Sequence, residues 1–366
     1  MKERNYGIDL LKIILAFMVI TIHINANGTG QVLSHATLQP WKSLVALVTF
    51  VCYPAVNTYI LITGYYSYEA NKGLNDIVKS LSILWLSAVF FSLFGYFIGI
   101  MFGNSFQLLD FAKRFFPIAR GVWWFYTVYF ALLLLSPFIN KLLNSIDVGG
   151  GHRMLLLILL IILSILPMFV NWEGQIGSNY GYSLVWFIAL YITGAFLQRK
   201  RVLNNRNPKK VLLYLMLFGV STIALYVIPK IVGFVGISLN LAMYNSVVVY
   251  TQAICLFMAF GNLSPAKCFE KTIGCISGLA LASYLLHCQE DIEKHLWVNA
   301  NPAAYANSGK IILVAAVICI TVFITGSILE YMRKKVCKLM KIDKWFAGTM
   351  SRGYLLLETF LKEREE

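Results

Sequence analysis

The 366-residue sequence is poor in charge: 17 Asp and Glu and 31 Lys and Arg make up 13% of it, against 58% hydrophobic residues. Soluble globular domains carry about a quarter charged residues. With a mean hydropathy of +0.69, the composition excludes a soluble globule and reads as an integral membrane protein. Acids are the scarcer sign, leaving a net charge of +14. The cations nevertheless fall in short clusters between apolar runs, as the orientation rule for membrane loops requires, so no nucleic-acid partner is expected. The seven Cys and five His show no CxxC or metal-ligand spacing, which argues against a disulfide framework or a zinc site; the cysteines read as small packing residues and no metal is expected. No internal repeat is visible, which counts against an inverted-repeat transporter. No small-residue cleavage site follows His23, so the first apolar run is expected to stay in the membrane rather than act as a removable signal.

What is present is a succession of apolar runs. At about 20 residues per crossing, ten helices are expected at roughly 8–26, 42–66, 80–102, 122–140, 154–171, 183–198, 211–229, 244–262, 272–290 and 310–331, an all-α polytopic fold. An even count puts both termini on one side. If that side is the cytoplasm, all but seven of the 31 Lys and Arg lie on it, which predicts an N-in, C-in orientation. Residues 1–340 are expected to form one membrane-embedded domain, and 341–366 an amphipathic, then highly charged tail at the cytoplasmic interface. The six cations and Asn-Arg-Asn-Pro between Gln198 and Lys210 read as an ordinary cytoplasmic turn.

The first run, Ile8 to His23, holds one acid, one amine and one imidazole: Asp9, Lys12 and His23. A helix advances about 100° and 1.5 Å per residue, so Lys12 and His23 share a face roughly 16 Å apart, and Asp9 can pair with Lys12 one turn away. Ionisable groups in a membrane helix face a cavity or a partner rather than lipid, which makes this face a candidate site. The imidazole of His23 can take a proton from a hydroxyl and return it to a leaving group; as a packing residue it would bond to a neighbouring helix instead. Lys12 can equally snorkel to the interface.

Further along, Gly64 in Tyr59-Ile60-Leu61-Ile62-Thr63-Gly64-Tyr65 permits close backbone approach. Lys113, Arg114 and Arg120 sit together on the external side ahead of Trp124, against the charge rule. Two readings stand: a surface helix whose cations meet lipid phosphates, or a segment folded inward as part of a site for an anionic group. Ser283-Tyr284-Leu285-Leu286-His287 puts a second imidazole near the outer end of the ninth helix.

These residues together resemble the membrane-bound acyltransferase-3 family of bacterial envelope glycan O-acyltransferases. That family opens with an Asp shortly before an Arg or Lys, ten intervening residues and a His, matched by Asp9, Lys12 and His23. Its aromatic and aliphatic run into Ser-Gly is matched by Tyr59 to Gly64, with Thr63 in place of Ser. Trp124-Phe125 with Leu135-Ser136-Pro137 is similar to its fourth-helix pattern, and Tyr284-Leu285-Leu286-His287 to its Tyr-Leu-x-His. The likeness spans residues 8 to about 331. Two departures stand out. The family's Arg-x-x-Arg after the second helix is reduced to Lys79, and Lys12 in place of Arg keeps the charge but loses the bidentate fork.

The resemblance implies an acyltransferase of the bacterial cytoplasmic (inner) membrane. It would move an acyl group, most simply acetyl from acetyl-CoA, onto a hydroxyl of an envelope polysaccharide or lipid-linked saccharide, with acyl-CoA as donor substrate and no bound cofactor. His23 would be the base and Lys12 would hold the donor or orient the site with Asp9. Tyr284, His287 and Trp124 would shape the acceptor side, since aromatic faces suit sugar rings. The donor phosphates would fall to Lys12 and Lys79, with Arg114 and Arg120 as candidates if their segment re-enters. Composition and periodicity alone support nothing finer than a polytopic membrane protein. The alternative from the residues is a lipid-linked glycan flippase or proton-coupled transporter with Asp, Lys and His as a proton relay.

Overall fold

A computed structural model describes residues 4–26, 29–169, 176–203, 207–234, 239 and 241–362. Residues 27–28 of the expected first external loop, 170–171 at the end of the fifth run, 204–206 of the basic turn and 363–366 of the tail lie outside them. In chain order the helices are α1 (Tyr6–Asn25), α2 (Val32–His35), α3 (Trp41–Cys52), α4 (Ala55–Ala70), α5 (Leu74–Met101), α6 (Leu108–Lys113), α7 (Trp124–Asn144) and α8 (Gly151–Leu160). They continue as α9 (Leu184–Arg199), α10 (Pro208–Phe234), α11 (Val247–Asn262), α12 (Lys267–Ser277), α13 (Leu281–His287), α14 (Glu290–Ala300), α15 (Lys310–Leu339) and α16 (Ile342–Lys362). No strand occurs among the described residues.

Each of the ten expected runs is helical, but they differ in their capacity to cross a bilayer. Seven segments are long and apolar enough: α1, Trp41–Ala70, α5, α7, Gly151–Met168, α10 and α15. An eighth is broken, with Lys267–His287 and Glu290–Tyr305 meeting at 82°. The remaining two, α9 and α11, have 16 residues each, about 24 Å of helix against a hydrocarbon core of about 30 Å. Outward faces are apolar as well as inward ones. Leu212, Met216, Val220 and Ile223 of α10 and Ile312, Val317, Ile320 and Ile324 of α15 are exposed, a surface suited to lipid rather than water.

The helix ends and interiors follow from local chemistry. Asn5 caps α1 by accepting from the Ile8 N–H at 3.2 Å while its amide donates to Gly261 O of α11 at 3.0 Å. Pro137 inside α7 cannot donate to the carbonyl four residues back. That carbonyl, Leu133 O, instead accepts from the Ser136 hydroxyl at 2.7 Å.

The expected close approach at Gly64 is present. A Cβ on Gly64 would lie 2.3 Å from Tyr191 O of α9, and one on Gly194 would lie 2.4 Å from Leu61 O of α4. The two glycines therefore let α4 and α9 meet backbone to backbone, the small-residue packing that membrane helices use in place of a hydrophobic drive. Buried amides tie neighbouring elements to this pair: Asn57 donates to Tyr244 O at 2.7 Å and accepts from the Trp186 indole at 3.1 Å. The tail helix α16 docks its first half on α5, with Phe346 stacked on Trp85 at 5.1 Å and Ser351 bonded to Asn75 at 2.6 Å. Its later Leu355, Leu356, Leu357 and Phe360 are exposed.

Candidate active site

His23 lies in the last turn of α1 and His287 is the last residue of α13. Their rings meet with His23 Nδ1 2.7 Å from His287 Nε2. On its other side, His287 Nδ1 lies 2.5 Å from Ser283 O, one turn back on α13. A carbonyl only accepts, so with both rings neutral the proton positions follow. His287 Nδ1–H donates to Ser283 O, leaving Nε2 as an acceptor, and His23 Nδ1–H donates to that nitrogen. The lone pair of His23 is thereby fixed on Nε2. Such a chain orients a base in the way a carboxylate orients the histidine of a hydrolase triad, with a neutral imidazole in the orienting position.

Close helix packing holds this chain in place. A Cβ on Gly326 of α15 would lie 2.9 Å from Ser283 Cα, so only glycine lets α15 back onto the turn that carries the Ser283 carbonyl. The His23 carbonyl accepts from Gly30 N at 2.8 Å and from the Thr29 hydroxyl, which fixes the end of α1 where the ring departs.

His23 forms one wall of a narrow cavity of about 30 Å³, bounded also by Ala16, Val19, Tyr59, Trp124, Phe125, Tyr244 and Tyr284. That volume holds about two waters. The lining runs from His23 back to Ala16, about 10 Å along α1 toward Lys12, and Tyr59 links it to that end by donating to Lys12 O at 2.7 Å. Aromatic rings pave the opposite wall: Trp124 is 4.6 Å from Tyr182 and 6.0 Å from Tyr244, and Phe125 meets Tyr284 edge-on at 5.8 Å.

A second, larger pocket of about 560 Å³ is lined by Thr29, Gln31, His35, Glu290, Glu293, Lys294, Trp297 and Asn301 among others. Trp297 belongs to both regions, since its ring is 6.4 Å from that of His287.

The expected site residues fall into three groups. His23, Trp124 and Tyr284 line the cavity, and His287 stands directly behind His23. Asp9 and Lys12 pair at the other end of α1 at 3.2 Å, as their spacing predicts, and Asp9 also accepts from Arg4 at 2.5 Å. Arg4 in turn reaches Gly274 O at 2.9 Å, so this end carries two cations to one anion. Thr63 stands apart, donating to Tyr59 O at 2.9 Å and lying 3.4 Å from the Tyr129 hydroxyl.

Arg114 and Arg120 form the third group. Arg114 is buried, at 7% exposed, and answered by protein carboxylates, whereas α6, which leads into it, has no buried residue. Arg114 pairs with Glu290, lies 2.9 Å from Asp291 and sits over the Tyr96 ring at 5.1 Å. Arg120 reaches Glu290 at 3.0 Å. The two cations are thus balanced by two carboxylates at the start of α14, and their observed contacts pin the broken segment in place. Lys79 is exposed beside Asp76 at 3.5 Å.

Sequence reasoning did not single out Arg4, Tyr244 or the acids Glu290 and Asp291. For the acids a signal existed, because two adjacent carboxylates directly after an apolar run need cations, and Arg114 and Arg120 were already in view.

The site is thus an aromatic-walled, helix-enclosed cavity with one imidazole held by a second. Residues 5–330 match the acyltransferase domain family, and the chain belongs to that acyltransferase-3 family of membrane acyltransferases. No curated protein and no solved structure matches the chain.

Proposed function

We propose that this protein carries a short acyl group, acetyl from acetyl-CoA, to a hydroxyl of an envelope polysaccharide or lipid-linked saccharide, with His23 as the base. The observation that carries the reading is the ordered chain from Ser283 O through His287 to His23, which leaves a lone pair on His23 Nε2 in a ring that lines the cavity. In the reaction, the acceptor hydroxyl gives its proton to His23 Nε2 as its oxygen attacks the thioester carbon. The C–S bond of the tetrahedral intermediate then breaks, and the imidazolium returns the proton to the departing thiolate. His287 acts as a positioning residue, accepting from His23 Nδ1–H throughout.

In this reading the chain crosses the cytoplasmic membrane ten times with both termini inside, the two 16-residue helices and the bent segment counting as crossings. The Arg4–Asp9–Lys12 cluster then faces the cytoplasm, where its excess cation suits the donor's phosphates. The 560 Å³ pocket faces outward and suits a sugar, with Trp297 as a stacking face and Glu293, Gln31 and Asn301 as polar contacts. Membership of a transferase family favours this reading over a flippase or proton-coupled transporter.

The test is transfer of labelled acetyl from CoA to extracted envelope glycan. His23→Ala and His23→Gln, at equal amounts of folded protein judged by size-exclusion profile, are expected to lose at least about a hundredfold in transfer while still binding donor. Transfer near the wild-type rate in both variants would remove His23 as the base.

A further inference from the structure

Cys288, the residue just after α13, brings its Sγ to 3.2 Å from His23 Nδ1. With His287 Nε2 it completes a set of three ligand atoms that all lie within 4.8 Å of one another. We propose that these three atoms form a binding site for a soft divalent cation, Zn²⁺ or Cd²⁺, and that its occupation switches the enzyme off.

The donor set selects the ion. Two imidazoles and one thiolate, with no carboxylate among them, suit zinc and its heavier relatives and are poor partners for Mg²⁺ or Ca²⁺. Tetrahedral bonds of about 2.0–2.1 Å to nitrogen and 2.3 Å to sulfur place ligand atoms about 3.3–3.6 Å apart. His23 Nδ1 and His287 Nε2 are 2.7 Å apart and His23 Nδ1 and Cys288 Sγ 3.2 Å, with all three atoms within 4.8 Å, so binding must widen the first pair by about 0.6 Å and the second by about 0.3–0.4 Å. His287 and Cys288 sit side by side at the end of α13, so that adjustment falls on two adjacent residues. The neighbouring 560 Å³ pocket shares Trp297 with the histidines and is lined by Glu293, a carboxylate that attracts cations. Sequence spacing could not display this site, because its first ligand is 264 residues from its second.

Inhibition follows from the nitrogen that is used. Coordination takes the lone pair of His23 Nδ1, so the proton now on Nδ1 must move to Nε2. The Cys288 thiol loses its proton to solvent, and each cation bound releases one proton. His23 then presents an N–H, rather than a lone pair, on Nε2 and can no longer accept a proton from the hydroxyl. This inhibitory consequence rests on the acyl-transfer reading, whereas the binding itself does not.

The test uses the full chain, reduced and in detergent, with Cys268 and Cys275, both exposed, replaced by Ser. Co²⁺ titration is expected to give a thiolate-to-cobalt charge-transfer band saturating at one equivalent and displaced by Zn²⁺. Cys288→Ser should abolish the band and weaken Zn²⁺ binding at least tenfold, while Cys319→Ser leaves both intact. A missing band in the unaltered site, or a band that survives Cys288→Ser, would overturn the site. Should Cys288→Ser fail to fold, mass spectrometry on the parent protein replaces it: saturating Zn²⁺ must slow alkylation of Cys288 by a membrane-permeant maleimide at least tenfold, and equal rates refute binding. Zn²⁺ should also lower acetyl transfer at least tenfold, reversibly on chelation. Binding without that loss overturns the switch, and no transfer by the metal-free protein defeats the acyl-transfer reading while leaving the titration intact.

Discussion

Replacing His287 with Ala tests the relay where it differs most from a simple single-base site. The substitution removes the imidazole acceptor of His23 Nδ1–H at 2.7 Å and leaves it only the weak acceptor Cys288 Sγ at 3.2 Å among the described contacts. An unsatisfied buried donor costs about 1–3 kcal/mol. His23 can avoid this cost by moving its proton to Nε2, which destroys the lone pair needed for catalysis. Either way, the competent tautomer is depleted by about 1–3 kcal/mol, equivalent to roughly 5- to 150-fold in rate. The loss should appear in kcat, with the KM for glycan nearly unchanged, because His287 faces His23 rather than the cavity. His287→Gln offers a carbonyl oxygen to the same N–H and should recover at least about tenfold of an Ala loss near the middle of that range. The assay is single-turnover transfer of labelled acetyl at saturating donor and acceptor, alongside nitrogen NMR of ring-labelled histidine to read the His23 tautomer. A His287→Ala enzyme with unchanged kcat would refute the relay, as would a defect confined to KM or a Gln variant no better than Ala.

Three further outcomes follow from the geometry. Lys12→Ala should weaken acetyl-CoA binding more than Lys12→Arg, since a cation is needed at the donor end; a folded Ala variant with wild-type affinity by calorimetry would take Lys12 out of donor binding. Gly64→Leu must push α4 off α9, because even its Cβ would fall 2.3 Å from Tyr191 O; overpacking of this kind costs about 1–3 kcal/mol or more, and an unshifted melting temperature in detergent would contradict the interlock. For orientation, single cysteines replacing Lys200 and Ala304 in a cysteine-free background should react with an impermeant thiol reagent on whole cells only at 304, and labelling at 200 alone would invert the assigned topology.

The apolar runs and the Asp9–Lys12–His23 spacing were legible because they are local: a hydropathy window and a helical wheel contain all the information they need. Gly64 was readable for the same reason, although its partner Gly194 was not. The pairing of His23 with His287 was half legible, since each imidazole stood out but nothing in their separation shows that their rings touch. Arg114 illustrates a different limit. Its excess charge on the outer side was plain, yet whether lipid phosphate or a carboxylate answers it depends on the break between α13 and α14, where the apolar run ends and an acidic helix begins. The run at 272–290 reads as one continuous span because its composition stays apolar to His287, and only backbone geometry exposes the 82° turn.

That turn also bears on how the protein is built. α14 opens with Glu290, Asp291 and Glu293, and a segment so acidic does not partition into hydrocarbon by itself. It reaches its position by docking onto cations supplied by Arg114 and Arg120, which leave the ribosome long before it does. In synthesis those arginines and the helix that follows them therefore precede the α13–α14 unit that carries His287. A chain ending before residue 290 would keep both imidazoles but lose the carboxylates that answer Arg114 and Arg120, leaving two cations at the end of a membrane segment without those partners.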